Sequence, residues 1–445
     1  RIHTNTHCET RVPAAFGCII VVLFPGPAPS FLGRTTVTKR CVSALAMGCA
    51  IAALLAVPGI TLGQTASGAQ GSAARIVAVG DVHGNFAGFT GILRTAGIID
   101  AKQQWAGGKT VFVQTGDIYD RGDTQRLALD LLMQLEGQAR RAGGRVEALI
   151  GNHEVVNMLG DLRDVSPAAF AAFADGRSES RRTRAYDDLV KSAKKRGQEG
   201  AVPARDAWMA AHPPGYIEYT EANGPRGKYG RWIRSHKVVV AIANTAFMHA
   251  GINHTFQGSL ADVNRVAADD IATWDAAKEA MVKEDLIPPF ATMAETIAAA
   301  TAELDRIAKT SKSPDSPATR QYVARLQRAA AIEKSSLLAD DGPLWFRGFA
   351  LWKETDEPPF TALLGRLGIG RFVAGHTPMP QMPTNRNIMN RWNYRVFQID
   401  TGMLGGDFFK GGRASALEIV GDRITVIYTD SREVVVAGSA QTPAS

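Results

Sequence analysis

The sequence predicts an α/β fold, and three observations carry that prediction. Short runs of aliphatic and β-branched residues alternate with stretches of helical period between residues 75 and 150. Each strand-like run is followed at once by a motif that combines glycine with Asp, Asn or His. Ligands of such sheets gather outside the carboxyl ends of the strands, so strands and motifs support one another.

Arg75-Ile76-Val77-Ala78-Val79 reads as a buried strand that ends in Gly80-Asp81-Val82-His83-Gly84. Phe86, Phe89, Ile92 and Leu93 then repeat at helical spacing. Thr110-Val111-Phe112-Val113 is a second strand and carries Gly116-Asp117-Ile118-Tyr119-Asp120-Arg121-Gly122. Leu127 to Ala142 predicts a helix with one apolar face. Val146-Glu147-Ala148-Leu149-Ile150 is a third strand, ending in Gly151-Asn152-His153-Glu154 on a loop. Residues 160–232 are polar, helical and turn-rich. Val238 to Ile242 and Thr245 to Met248 read as strands flanking Ala243-Asn244, with His249-Ala250-Gly251 next. Residues 262–338 are alanine-rich at helical spacing and predict a helical insertion, broken near Lys312 to Ser316. Arg371-Phe372-Val373-Ala374 is a strand ending at Gly375-His376, and Val396-Phe397-Gln398-Ile399 is another. Ala416 to Val420 and Ile424 to Tyr428 predict a hairpin turning at Gly421-Asp422. No internal repeat is visible.

The 445 residues allow two or more domains' worth of core. The first 70 read as targeting sequence rather than fold. Lys39-Arg40 is a short basic region, Cys41 to Val57 an apolar run, and Pro58-Gly59 its end. With the small residues before Gln64, this predicts a cleaved signal peptide at about 37–64 and a periplasmic or secreted protein. The run is short of the roughly 20 residues that span a bilayer, so no stable membrane insertion is expected after cleavage; the rival reading is an uncleaved anchor. Residues 1–36 fit no targeting pattern, and a translation start at Val37 is expected. Gln64 to Ala74 reads as a linker. The expected organisation is therefore an upstream segment, signal and linker over 1–70, a catalytic domain over 71–435 with insertions at about 160–232 and 262–338, and a flexible tail over 436–445. All four cysteines lie before residue 50, so the mature chain offers no thiolate for metal or catalysis. Of the formal charge of +7, residues 1–70 hold +4. The one basic stretch, from Arg181 to Arg196, is interrupted by Asp187 and Asp188 and reads as a solvated helix face. No nucleic-acid partner is expected.

The motifs supply a mixed oxygen and nitrogen donor set without sulfur, which suits a hydrolytic metal site better than a structural zinc site. Asp81 and His83, two apart on one loop, can chelate a first ion. Asp117 can bridge it to a second ion about 3.5–4 Å away. Asn152, His249 and His376 can complete the second. His153 is adjacent to Asn152, so it is expected not to be a ligand but to protonate a leaving alkoxide or phenoxide. Asp120 can fix its tautomer, and Arg121 offers a planar fork to phosphate oxygens. His212, His236 and His254 lie outside the motifs and read as surface or packing residues. Asp161 and Asp400 are open between lining the site and capping turns, and Met158 and Met403 read as core.

These five motifs resemble those of the calcineurin-like metallophosphoesterases of the PPP-type branch. The resemblance spans roughly residues 75–430 and is closest to the Shewanella-like protein phosphatases. The segments Val156-Asn157-Met158-Leu159-Gly160-Asp161, Gly342-Pro343-Leu344-Trp345-Phe346-Arg347, Gly375-His376-Thr377-Pro378 and Ile399-Asp400-Thr401-Gly402-Met403 carry that finer likeness. His249-Ala250-Gly251 stands where eukaryotic Ser/Thr enzymes have His-Gly-Gly, and Gly375-His376-Thr377 where they have Arg-Ala-His. The resemblance implies a four-layer αββα sandwich, two Mn, Fe or Zn ions, and dephosphorylation of phosphoproteins. It places Asp81, His83 and Asp117 at the first metal, and Asp117, Asn152, His249 and His376 at the second. It makes His153 the general acid, Asp120 its partner, and Arg121 and Asn152 contacts to phosphate; Arg347 is the candidate second phosphate arginine. The expected substrate is thus a phosphoprotein or phosphopeptide. One alternative is a small phosphomonoester, with hydrolysis of nucleotides or dinucleoside polyphosphates by the same fold. Another, of a different class, is a metal-bearing binding protein without turnover.

Overall fold

A computed structural model of the chain describes residues 74–310, 316–378 and 387–438. The chain divides between Ala69 and Gln70, and every described residue belongs to the second unit. The expected signal peptide, the Val37 start, residues 312–315 of the expected helix break and the end of the expected tail lie outside the described residues.

The first strands form as their apolar runs predict. β1 (Arg75–Val79), α1 (Phe86–Thr95), β2 (Val111–Gln114), α2 (Gln125–Arg141) and β3 (Arg145–Ala148) are two successive crossover units. β1 pairs with β2, and β2 with β3, in parallel. β3 stops at Ala148 because the chain turns to the neighbouring segment, where Leu149 bridges Lys237. The third motif is not a loop. It opens α3 (Asn152–Leu159).

The first insertion folds as α4 (Pro167–Ala171), α5 (Ser178–Lys195), α6 (Arg205–Ala211), α7 (Tyr216–Asn223) and α8 (Lys228–Arg234). β4 (Val239–Ile242) and β5 (Thr245–Met248) follow as an antiparallel pair turning at Ala243, whose φ is 51°. The second insertion is α9 (Leu260–Lys283), α10 (Met293–Thr310) and α11 (Pro317–Ala330). The break between α9 and α10 holds Pro288-Pro289, whose missing donors end a helix. Two helices that the sequence patterns do not announce, α12 (Gly348–Leu351) and α13 (Glu357–Leu367), lead to β6 (Arg371–Ala374). The remaining strands are β7 (Met389–Arg391), β8 (Val396–Gln398), β9 (Ser415–Val420), β10 (Arg423–Tyr428) and β11 (Arg432–Ala437). β11 reaches into the segment expected as tail, because it pairs with β10.

Among the described residues the strands make two mixed sheets, ordered β11-β10-β9-β1-β2-β3 and β4-β5-β6-β8-β7. Strand parity sorts the side chains into layers. Ile76, Ala78, Val113, Leu417 and Ile419 of the first sheet share one core with Val240, Phe247, Val373 and Phe397 of the second. Their neighbours of opposite parity, Val77, Val79, Phe112, Val239, Phe372 and Val396, pack in the other core with the helices. Two sheets face each other and helices cover their outer faces, which is the four-layer sandwich expected. The carboxyl ends of β1, β2, β5 and β6 carry four motifs, and α3 carries the fifth.

Candidate active site

Backbone conformation is the first sign that these loops are special. His83, Asp117, Asp120, Arg121 and His376 all have φ between 46° and 70°. Such left-handed residues cost about 1–3 kcal/mol each and persist only where their surroundings hold them. Here hydrogen bonds hold them: Val82 N and His83 N both donate to Asp117 O at 2.9 Å. Glu154 Oε2 accepts from Asp117 N at 2.8 Å and from Gly151 N at 2.7 Å, and Oε1 accepts from Ile118 N at 2.8 Å. One buried carboxylate thus locks the second motif to the third. Glycine is required where the loops touch. A Cβ on Gly375 would stand 2.2 Å from Asp81 Oδ1, and one on Gly151 would stand 2.3 Å from Asp117 Oδ1.

The functional side chains converge, and all of the metal-ligand candidates are buried. His249 Nε2 lies 3.4 Å from Asp117 Oδ1, 2.7 Å from Asn152 Oδ1 and 3.1 Å from His376 Nδ1. His376 Nδ1 is 2.9 Å from Asn152 Oδ1. On the other side of Asp117, His83 Nε2 is 3.7 Å from its Oδ2 and 3.9 Å from Asp81 Oδ2. His153 Nε2 is 3.9 Å from Asp117 Oδ2. The donors fall into two groups, His83-Asp117-His153 and Asp117-His249-His376, with Asp117 common to both. A carboxylate shared by two groups is the arrangement that bridges two ions. Residues 74–269 match the family model described as Calcineurin-like phosphoesterase. The chain carries a calcineurin-like phosphoesterase domain.

In this phosphoesterase domain the outer nitrogens of three rings face backbone carbonyls. His83 Nδ1 meets Tyr119 O at 3.0 Å, His249 Nδ1 meets Thr115 O at 3.0 Å, and His376 Nε2 meets Trp345 O at 3.2 Å. Carbonyls only accept, so those nitrogens carry the protons and the inner nitrogens present lone pairs. Burial depresses all three rings, His83 to about 3 and His376 to about 2, which keeps them neutral. The inner surface is therefore made of lone pairs and carboxylate oxygens that repel one another at 2.7–3.4 Å. Cations satisfy such a surface, and the residues fit two metal ions. Burial, then Asp400 and Asp117, push the Asp81 carboxyl well above the usual carboxylate range. Burial also raises Asp117, but the imidazoles around it, His249 foremost, outweigh that and hold it low.

His153 behaves differently. It stands within the first donor group, whereas its adjacency to Asn152 suggests a place outside it. Its Nδ1 pairs with Asp120 Oδ2 at 2.6 Å. Burial lowers its pKa, yet Asp117 and Asp120 prevail and raise it above the ordinary value. Arg121 Nη1 lies 2.7 Å from His83 Nε2, and its guanidinium sits over the Phe409 ring at 5.4 Å. Arg347 Nη1 donates to His376 O at 3.3 Å and to Thr377 Oγ1 at 3.2 Å, at the margin of the second group. Two supports are absent from the sequence-based site. Asn157 Nδ2 donates to both oxygens of Asp120 at 2.9 Å, and Phe409 stacks on His83 with centroids 5.7 Å apart. Asn157 follows His153 by one helical turn, a signal visible only once α3 is seen as a helix. A cavity of about 680 Å³ between α5, α7 and residues 282–290 holds none of these groups.

The chain is similar to Shewanella-like protein phosphatase 2 of Arabidopsis thaliana, with 30% identity over 183 residues, 40% of this chain and 46% of that protein. Similarity to Shewanella-like protein phosphatase 1 of Plasmodium berghei is 33% over 99 residues, 22% of this chain and 27% of that protein. The match thus spans less than half the length of either protein. An uncharacterised protein of Schizosaccharomyces pombe is 26% identical over 345 residues, 76% of this chain and 75% of its own. The crystal structure of a cold-active protein-tyrosine phosphatase of a psychrophilic Shewanella shares the fold, with a TM-score of 0.50, 23% identity, and coverage of 82% of this chain and 80% of that one.

Proposed function

We propose that the chain is a two-metal phosphatase that hydrolyses phosphomonoesters of proteins or peptides, and that Mn, Fe or Zn fills the site. The His153–Asp120 pair at 2.6 Å, set against a surface of lone pairs, is the observation that carries this reading. Asp81, His83 and Asp117 would hold the first ion, and Asp117, Asn152, His249 and His376 the second. When bound, the ions supply Lewis acidity to the phosphoryl oxygens and an activated water. Asp117 and Asp120 favour the protonated form of His153, which suits an acid better than a ligand. It gives its Nε2 proton to the departing ester oxygen. Asn157 holds Asp120 in place for that task. Arg121, packed on Phe409, offers its fork to two phosphate oxygens, and Arg347 supports from the His376 side. A binding protein without turnover would have no use for a paired imidazole and carboxylate beside its metals.

Elemental analysis with turnover on phosphopeptides, nucleotides and p-nitrophenyl phosphate tests the reading. Two metals per chain and peptide turnover are expected. A metal-loaded protein that turned over no phosphomonoester would reject it. We also propose export with cleavage near Gln64. No helix among the described residues is long and apolar enough to cross a membrane. N-terminal sequencing that found residues 45–56 intact in the native protein would reject cleavage.

A further inference from the structure

A phosphomonoester must place its leaving group on the side of the residue that protonates it, so the space beside His153 receives whatever the phosphate is attached to. That space is a cavity of about 310 Å³ opening on His153. Its apolar floor is Val156, Met293, Leu338 and Trp345, and its rim is Asp161, Asp164 and Glu333, with Arg163 among them. Both insertions contribute. Met293 opens α10, and its N–H donates to Gly160 O at 3.1 Å, which clamps the second insertion to the end of α3. Glu333 and Leu338 follow α11.

The rim is tied to the phosphate end of the site. Arg121 N donates to Asp164 O at 2.9 Å, so the acid stands at a fixed place relative to the phosphate arginine. Asp161 is neutralised by a bidentate pair with Arg163, at 2.8 and 2.5 Å. Asp164 and Glu333 are exposed, and both act electrostatically on the same Arg163. Three carboxylates against one guanidinium leave the rim negative at neutral pH.

Resting on the phosphatase reading above, we infer that this cavity selects by the charge that accompanies the leaving group. A phosphopeptide with Arg or Lys beside the phosphorylated residue is favoured. An acidic phosphopeptide is disfavoured, and so is a nucleotide, whose further phosphates bring anionic charge to the same rim. Asp164 and Glu333 are the specificity-determining residues. The phosphorylated side chain lies on the apolar floor, and the neighbouring cation meets the rim within a Debye length of about 8–10 Å.

The test uses two phosphopeptides of equal length with the same phosphorylated residue, flanked by Arg in one and Glu in the other. kcat/KM and Kd are measured for both on the metal-loaded full chain at low and at high salt. The basic peptide should be preferred by roughly 3- to 10-fold at low salt, and the preference should shrink at high salt. The double variant Asp164→Asn, Glu333→Gln should bring the ratio near one, and Arg163→Ala, which unmasks Asp161, should increase it. Because the readout is a ratio between peptides, a general loss of activity cancels. A wild-type ratio near one, or a ratio that the double variant leaves in place, overturns the inference. If nothing is hydrolysed but the Kd ratio follows these expectations, the charge selection stands and the enzymatic reading falls. If p-nitrophenyl phosphate is hydrolysed while both ratios are flat, the reverse holds.

Discussion

Asp120 decides what His153 does. Among the four imidazoles, the three tied to backbone carbonyls are driven to low pKa, while the one tied to a carboxylate is raised. Substituting either member of the pair tests this. His153→Asn keeps the candidate ligands and should keep the metals, yet lose roughly 10²–10⁴ in rate, the usual share of general acid–base catalysis. The loss should be smaller for p-nitrophenyl phosphate, whose phenolate leaves without help, than for a serine phosphate; equal losses with metals intact would show that His153 does not protonate the leaving group. Asp120→Asn removes the anion that favours the imidazolium, so the pKa of His153 falls. The acid must be protonated to act, so the alkaline limb of the kcat profile should move to lower pH. A limb that stays in place would show that Asp120 does not tune the acid. The donors themselves are legible in the sequence, because Asp-x-His and Asn-His motifs after strands leave few alternatives. Phe409 is not, since a stacking partner from a glycine-rich loop more than 300 residues away from His83 has no local signature.

The N-terminus of α3 is the element that sets the site. Glu154 reaches back to Gly151 N as a capping residue does, and also takes the N–H groups of Asp117 and Ile118. Glu154→Gln keeps the shape but turns an N–H2 toward buried donors. It should cost about 1–3 kcal/mol in urea unfolding, the penalty for unsatisfied buried groups, and reduce metal occupancy through Asp117. Unchanged stability together with unchanged metal content would show that the carboxylate is not the lock. Gly151 with Glu154 three residues on is a helix-start pattern, yet likeness to the other four motifs argues for a loop. The same likeness hides Asn157, whose relation to His153 needs the helix. The strands of the two inner layers are legible from their apolar runs. β7 and β11 are not, because short or polar edge strands are specified by the partner they pair with rather than by their own residues.

On the scale of the whole molecule, the centre joins two sheets. Asp81, Asp117 and Asn152 belong to the β1–β3 side, and His249 and His376 to the β5–β6 side. Buried carboxyl groups and facing lone pairs oppose that union where no cation is bound. Stripping the metals with a chelator should lower the stability by about 3 kcal/mol relative to protein in free metal at ~100 times its Kd, and lower Tm accordingly. Rebinding should release protons, since burial and the neighbouring carboxylates favour the protonated form of Asp81 in the absence of a cation, and affinity should therefore fall as pH falls. Calorimetry in buffers of different ionisation enthalpy reads that release; none found would contradict a protonated Asp81. The same junction has a consequence for the chain as it is made. Asp81 and the residue whose N–H it accepts, His376, are 295 positions apart. A ribosome adding roughly 5–20 residues per second separates their synthesis by about 15–60 s. A chain that met ions during that interval would offer them Asp81, His83 and Asp117 without His376, an incomplete set of candidate ligands.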